Sequence, residues 1–184
     1  MGIERLRAGW FGWMAVAALG LFAPTVSFAA DAASDFTLRD IDGKSVTLSE
    51  LEGRVVVMSF WATWCGPCKE EMPHLQKMYA EHEADGLTVL SISIDDARSA
   101  SRVKPFIKKN GYSFPVLLDR DSTVISAYNP AKTLPYTVLV NRSGEVFKKH
   151  SGYNPGDEVE LLEEVKKLLA EGAAAPAPAP AEEG

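Results

Sequence analysis

The sequence predicts a single α/β domain in which a central mixed β-sheet is flanked by helices. Residues 54–61 and 87–94 form two near-continuous apolar runs, which are typical of strands buried on both faces of a sheet. Amphipathic segments with helical spacing separate the runs, and strands that alternate with helices predict a layered arrangement. At 184 residues, the chain is long enough for one domain with an extension at each end.

The first half of the chain carries clear turn and helix signals. Asp42-Gly43 lies between two alternating segments and predicts a β-hairpin over residues 35–48. The composition of residues 66–83 predicts the first long helix. We expect Pro73 to kink this helix, because proline cannot donate the backbone hydrogen bond that a helix interior requires.

The second half continues the alternation of helices and strands. In chain order, we expect a helix, a short strand, a short helix, a β-hairpin and a last helix, at residues 99–110, 114–119, 122–128, 136–150 and 157–170. Apolar residues recur at helical spacing in the last helix and predict its core-facing side. These residues are Val159, Leu161, Leu162, Val165, Leu168 and Leu169.

The N-terminus has the order of a secretory signal peptide. Residues 1–29 start with Arg5 and Arg7, continue with an apolar run and end in small residues, so cleavage is expected after Ala29. The alternative is a retained membrane anchor. Either way, we expect the folded part to be periplasmic or otherwise extracytoplasmic.

Composition sets the remaining boundaries. We expect residues 30–34 to form a linker and residues 35–171 the folded domain. Residues 172–184 are rich in Ala and Pro, cannot bury a core and are expected to be a disordered tail. The formal net charge of −6 and the pI of about 5.1 give no electrostatic reason to expect a nucleic-acid partner.

The chain has two cysteines, Cys65 and Cys68, in one Cys-x-x-Cys motif. Disulfides that staple exported proteins usually close long loops, whereas this pair closes a very short one, for which the gain in stability is smallest. A zinc site needs about four ligands, and the histidines are scattered along the chain. The pair therefore indicates redox chemistry, and we expect no metal and no cofactor beyond the Cys65–Cys68 disulfide itself.

The motif lies between a predicted strand and a predicted helix. A thiol at the start of a helix faces unpaired backbone N–H groups and the positive end of the helix dipole, which favour the thiolate. Gly66 lets the chain turn close to the sulfur, and Pro67 fits the first helical turn. We therefore predict that Cys65 attacks a disulfide and that the less exposed Cys68 resolves the mixed disulfide.

Several segments together resemble one family. Residues 60–68, Phe-Trp-Ala-Thr-Trp-Cys-Gly-Pro-Cys, are similar to the active-site segment of thioredoxins. The fuller pattern resembles the exported TlpA/ResA-like branch of the thioredoxin superfamily, with matching segments at residues 35–38, 69–73, 91–95, 114–119 and 134–140. This resemblance covers residues 35–169 and implies a thioredoxin-like fold with an N-terminal β-hairpin and a central strand–helix insertion at 87–111.

The resemblance also implies roles for residues around the dithiol. Pro135 matches the family's cis-proline. The sequence alone shows only that Pro135 begins a strand, and a trans edge proline is the alternative. With the cis bond, the backbone of Leu134 would pair with an extended substrate strand. Trp64 resembles the family's surface aromatic residue and Trp61 its partner beneath the loop, unless both are simply packing residues. Substrate contacts are thus expected at Trp64, Gly66, Pro67, Leu134 and Pro135.

The expected proton-handling residue is Glu71. Thioredoxins carry a buried aspartate at the position of Ser59, and serine cannot exchange protons in its place. The TlpA/ResA-like branch has a glutamate that matches Glu71, three residues after Cys68 and so on the same helical face. A partly buried carboxylate there would have a raised pKa and could exchange protons with the thiols. A solvated helix carboxylate is the alternative.

Three neighbouring carboxylates are expected to be solvated. Glu70 lies beside Glu71 in the predicted helix, and Asp95 and Asp96 follow the second apolar run. Exposed positions are usual for these residue types.

The expected activity is thiol–disulfide oxidoreduction. Cys-Gly-Pro-Cys is the motif of thioredoxin, which is reducing, so we expect a protein-disulfide reductase. The resemblance implies exported disulfide-containing proteins as substrates, a membrane thiol carrier as electron donor, and maturation of cytochrome c or copper sites as the setting. We expect a monomer.

Two other functions stay open. Peroxiredoxin-like thiol peroxidases share the fold and the Asp-Phe-Thr-Leu opening, but they need a Thr three residues before the reactive Cys, and Thr63 lies two residues before Cys65. A metallochaperone could carry Cu(I) on the dithiol, since this soft ion suits thiolates. No Met-rich segment or nearby His–Cys pair in the sequence supports it.

Overall fold

The computed structural model describes residues 31–171. The first strand begins at Thr37 and the last helix ends at Glu171. The signal peptide predicted at 1–29 and the tail predicted at 172–184 lie outside the described residues.

Seven strands form one mixed sheet in this part of the chain, in the order β2-β1-β5-β4-β3-β6-β7. The strands are β1 (Thr37–Asp40), β2 (Ser45–Thr47), β3 (Val55–Trp61), β4 (Leu87–Ser93), β5 (Val116–Leu118), β6 (Tyr136–Val140) and β7 (Val146–Ser151). β3, β4 and β5 are parallel, whereas the other neighbouring pairs are antiparallel. The sheet confirms the predicted α/β class and the N-terminal hairpin, and β4 of the expected insertion lies at its centre.

Between residues 31 and 171, four α-helices flank the sheet: α1 (Gly66–His82), α2 (Val103–Asn110), α3 (Thr123–Tyr128) and α4 (Asp157–Glu171). The helix predicted at 99–110 is divided into a 3₁₀ turn, Ala100–Arg102, and α2. Because α2 starts at Val103, Pro105 lies in its first turn. The N–H groups of a first turn have no partner within the helix, so a proline there loses no helical hydrogen bond. Among the described residues, no helix combines the length and apolar character needed to cross a membrane.

The core lies on both faces of β3, all of whose residues are buried. Because side chains alternate along a strand, Val55, Val57 and Trp61 pack towards α1, α2 and α4. Met58 and Phe60 pack on the opposite face, towards α3. This two-sided burial explains why the sequence of β3 is almost continuously apolar.

The predicted apolar face of α4 is correct except at one end. Leu161, Val165, Leu168 and Leu169 are buried, and Leu162 is half-buried. Val159 is 60% exposed, so its predicted place in the core is wrong. It precedes Leu161 by two residues, which turns its side chain roughly 200° around the helix and away from the core.

This difference provides a matched test within one helix. Val165→Ala removes two buried methyl groups and is expected to lower the free energy of unfolding by about 2 kcal/mol. Val159→Ala removes the same groups from an exposed side chain and is expected to change it by less than about 0.5 kcal/mol. Both substitutions raise helix propensity equally, so urea denaturation of the two variants isolates the effect of burial. Equal effects would contradict the assignment of this face.

Candidate active site

Cys65 lies where β3 leads into α1. It is the N-cap of α1, with extended backbone angles, and its Sγ accepts a hydrogen bond from the backbone N–H of Cys68 at 3.3 Å. Pro67 lies in the first turn of the helix, as predicted. The sulfur therefore faces the unpaired N–H groups and the positive dipole of the helix start, both of which favour a thiolate.

Cys65 and Cys68 form a disulfide, with their Cα atoms 5.4 Å apart. Cys65 is 6% exposed and Cys68 is fully buried. Gly66 and Pro67, between them, are exposed. Cys65 is therefore the more exposed of the two cysteines, which is the order of exposure predicted from the sequence.

The two tryptophans before the dithiol lie in different environments. Trp64 is 64% exposed, next to Cys65, and Trp61 is completely buried. The ring centroid of Trp61 lies 5.4 Å from that of Phe106 in α2. Trp64 thus provides an apolar surface at the rim of the site, whereas Trp61 supports the loop from below.

The loop before the dithiol is held by Asp95, whose predicted solvated position is wrong. Asp95 is fully buried, and its carboxylate accepts hydrogen bonds from the backbone N–H of Thr63 at 2.8 Å and from the Thr63 hydroxyl at 2.6 Å. The Ser93 hydroxyl donates a third bond at 2.9 Å. Asp96, by contrast, is exposed as expected.

A topological signal could have identified Asp95. It follows β4, which runs parallel to β3 with Ser93 opposite Trp61. The carboxyl ends of neighbouring parallel strands meet at one edge of a sheet. A carboxylate two residues beyond the end of β4 therefore lies beside the loop that follows β3.

The Leu134–Pro135 peptide bond is cis, as the family resemblance implied. Pro135 is buried, and the half-buried Leu134 packs against the core cluster that contains both cysteines. Within residues 31–171, no hydrogen bond engages the backbone N–H or C=O of Leu134. This residue precedes β6 and has backbone groups free to pair with another strand.

Glu71 lies in α1, one helical turn after Cys68, and is buried, at 6% exposure. Its Oε2 accepts a hydrogen bond from the Ser59 hydroxyl at 3.1 Å, and its Oε1 accepts one from the Thr137 hydroxyl at 3.0 Å. Burial raises the pKa of the Glu71 carboxyl above its ordinary value of 4.5, against the lowering effect of these two hydrogen bonds. The neighbouring Glu70 is exposed, as expected.

The contact with Ser59 brings an acidic group next to the position in β3 where thioredoxins carry an aspartate. The serine hydroxyl binds the carboxylate that α1 supplies. An acidic group is therefore present beside β3, but it belongs to the helix that carries the dithiol.

A cleft of about 340 Å³ between α1, β7 and α4 reaches Glu71 from the protein surface. Its polar lining includes His74, Lys148, His150, Tyr153 and Glu158. We call it the α1–β7–α4 cleft. Within residues 31–171, no group of three potential ligands is arranged to hold a metal ion.

Comparison with known proteins agrees with this geometry. The model of the AhpC/TSA family matches residues 29–149. The thiol-disulfide oxidoreductase ResA of Halalkalibacterium halodurans is 37% identical over 141 residues, 77% of each chain. ResA of Bacillus subtilis is 38% identical over 120 residues, 65% of each chain.

Solved structures share the fold. A protein of Chlorobium tepidum assigned as a thiol:disulfide interchange protein of the DsbE type has 31% sequence identity and a TM-score of 0.71, with 76% of this chain and 96% of that chain covered. StoA of Bacillus subtilis has 26% identity and a TM-score of 0.59, with 71% and 97% covered. The chain belongs to the AhpC/TSA family and, within the thioredoxin superfamily, to the TlpA/ResA-like thiol-disulfide oxidoreductases.

Proposed function

We propose that this protein reduces disulfide bonds of exported proteins, with Cys65 as the nucleophile, Cys68 as the resolving thiol and Glu71 as the group that exchanges protons with Cys68. The observation that carries the proposal is the buried Glu71 carboxyl, which lies one turn after Cys68 and has a raised pKa. A dithiol at a helix start supplies the nucleophile, and the adjacent acid supplies a place for the proton.

The reaction begins with the reduced dithiol. The Cys65 thiolate attacks one sulfur of the substrate disulfide, a mixed disulfide forms, and the other substrate sulfur leaves as a thiolate that takes up a proton. The Cys68 thiol then loses its proton and attacks Cys65, which releases the second substrate thiolate. Two electrons pass to the substrate, and the protein is left with the Cys65–Cys68 disulfide that the structure contains.

Glu71 assists the second attack. Cys68 is fully buried, which disfavours its thiolate. The Glu71 carboxylate takes the proton of the Cys68 thiol as the thiolate forms, and returns it when the disulfide is reduced again. Because burial raises the pKa of Glu71, the carboxylate is a better proton acceptor than an exposed glutamate.

The surface around Cys65 receives the substrate as an extended strand. The free backbone groups of Leu134 pair with that strand, as in other cases of strand addition. The exposed Trp64 and Pro67 provide apolar contacts on either side of Cys65, and Gly66 leaves room for the approaching chain. Pro135 completes the substrate surface.

The proposed setting rests on the predicted N-terminal signal and on the family. The protein acts as a monomer outside the cytoplasm, on proteins that acquire cytochrome c haem or copper sites, and a membrane thiol carrier reduces it again.

The geometry of Thr63 argues against the thiol peroxidase alternative. Its hydroxyl donates to Asp95 at 2.6 Å and so is engaged away from the Cys65 sulfur.

Trapping tests the order of the two thiols. Cys68→Ala leaves Cys65 able to attack but unable to be resolved, so this variant is expected to accumulate a mixed disulfide with its substrate. Non-reducing electrophoresis and mass spectrometry would detect and identify the complex. Cys65→Ala serves as the control and is expected to trap nothing, because Cys68 is buried. Trapping by Cys65→Ala alone would reverse the assignment.

Substitution of Glu71 tests the proton acceptor. Glu71→Gln is expected to slow disulfide reduction about 10²-fold, the lower end of the usual contribution of general acid–base catalysis. Glu70→Gln, which changes an exposed neighbour in the same helix, should leave the rate unchanged. The wild-type rate is expected to fall as the pH drops through the raised Glu71 pKa, since protonation removes the acceptor. If stopped-flow rates of Glu71→Gln retain that limb, Glu71 is not the acceptor.

The reduction potential tests the direction of electron flow. Titration of the dithiol against glutathione or dithiothreitol, followed by tryptophan fluorescence, is expected to give a value near that of thioredoxin, about −270 mV. A potential above about −150 mV, near that of the oxidant DsbA, would show that the protein oxidises its substrates instead.

A further inference from the structure

His150 lies opposite Thr137, a hydrogen-bond partner of Glu71. In the pairing of β6 with β7, His150 is directly opposite Thr137, whose hydroxyl donates to the Glu71 carboxylate. Residues directly opposite each other in an antiparallel pair point to the same face of the sheet. His150 and Glu71 also line the same α1–β7–α4 cleft.

His150 belongs to a network of charged side chains between β7 and α4. Its Nε2 lies 2.8 Å from Oε2 of Glu164. Lys148 binds the same glutamate through its other oxygen and also binds Glu160 at 2.5 Å. With His150 protonated, these four side chains carry no net charge, whereas without that proton they carry one net negative charge.

In the described part of the chain, four other charged or ionisable side chains line the cleft besides Tyr153, two from α4, one from α1 and one from β7. His74 of α1 is 3.9 Å from Glu158 of α4, which also accepts a hydrogen bond from the Tyr153 hydroxyl. Asp157 at the start of α4 and Lys149 of β7 line the cleft as well.

Resting on the proposed role of Glu71, we infer that His150 is a positioning residue whose positive charge favours the ionised form of the Glu71 carboxyl. The Glu164 carboxylate holds the imidazole at Nε2 and so keeps that charge in the cleft. Glu71 shares the cleft with the network, so it experiences the charge. His150 itself does not touch the cysteines or the substrate.

The sign of the coupling follows from charge. Protonated His150 attracts the Glu71 carboxylate and lowers the pKa of Glu71, in opposition to burial, while Asp157 acts in the other direction. Without a positive charge at position 150, the local excess of negative charge raises the pKa of Glu71. A permanently neutral residue at position 150 should therefore keep the Glu71 carboxyl protonated to higher pH.

The test measures the Glu71 pKa in the oxidised protein, in which the two cysteines do not titrate. The carboxyl signal of ¹³C-labelled Glu71, assigned by its loss in Glu71→Gln, is followed by NMR as a function of pH. In His150→Gln the pKa of Glu71 is expected to rise by roughly 0.3 to 1 pH unit. A partly screened interaction between two charges has an effect of this size. The acid limb of the reduction rate should move to higher pH by the same amount.

Two variants separate charge from packing. His82→Gln removes another histidine that is bonded to a carboxylate, Asp85 at 3.0 Å, but at the far end of α1, and should leave the Glu71 pKa unchanged. His150→Lys restores a positive charge and should return the pKa to the wild-type value or below. An unchanged pKa in His150→Gln, or an equal rise in His150→Lys, would overturn the inference. Normal activity of Glu71→Gln would instead contradict the proposed function.

Discussion

The proposed mechanism depends on one buried carboxylate. Removing the Glu71 carboxylate from water is unfavourable, and the hydroxyls of Ser59 and Thr137 offset part of that cost by donating one hydrogen bond to each oxygen. Because these hydroxyls come from β3 and β6, the contact joins the dithiol helix to two adjacent strands of the sheet. The same burial raises the pKa of Glu71 and so gives the site an acid that can exchange protons.

The sequence was sufficient wherever the signal is local. The turn at Asp42-Gly43, the two-sided burial of β3 and the helix start at Cys65 each depend on neighbouring residues, and all three predictions are confirmed. Helical spacing also places Glu71 on the face of Cys68, whereas the choice between a buried and a solvated carboxylate rested on the family resemblance as well. The cis bond at Pro135 was different, because only the family resemblance implied it.

The errors occurred where the decisive partner is distant in the sequence or where a helix face ends. The donors to Asp95 include Thr63, 32 residues earlier, and become its neighbours only through the parallel pairing of β3 and β4. The network of His150 with Glu164 likewise requires β7 to lie against α4. Val159 fits an apolar pattern along the chain but not the angle of the buried face, which α1 and β3 define by packing against α4.

Asp95 and Glu71 are both buried carboxyl groups next to the dithiol. Asp95 binds the loop before Cys65, and Glu71 lies in the helix that begins at the dithiol. The hydrogen-bond donors to each group suit it to a different role. Two of the three bonds to Asp95 involve Thr63, and one of these donors is a backbone N–H, which can only donate. These bonds hold the loop before Cys65. Both donors to Glu71 are hydroxyls, which can rotate and accept a hydrogen bond from a protonated carboxyl. Glu71 can therefore keep its partners in either protonation state, which is the property that the proposed proton exchange with Cys68 requires.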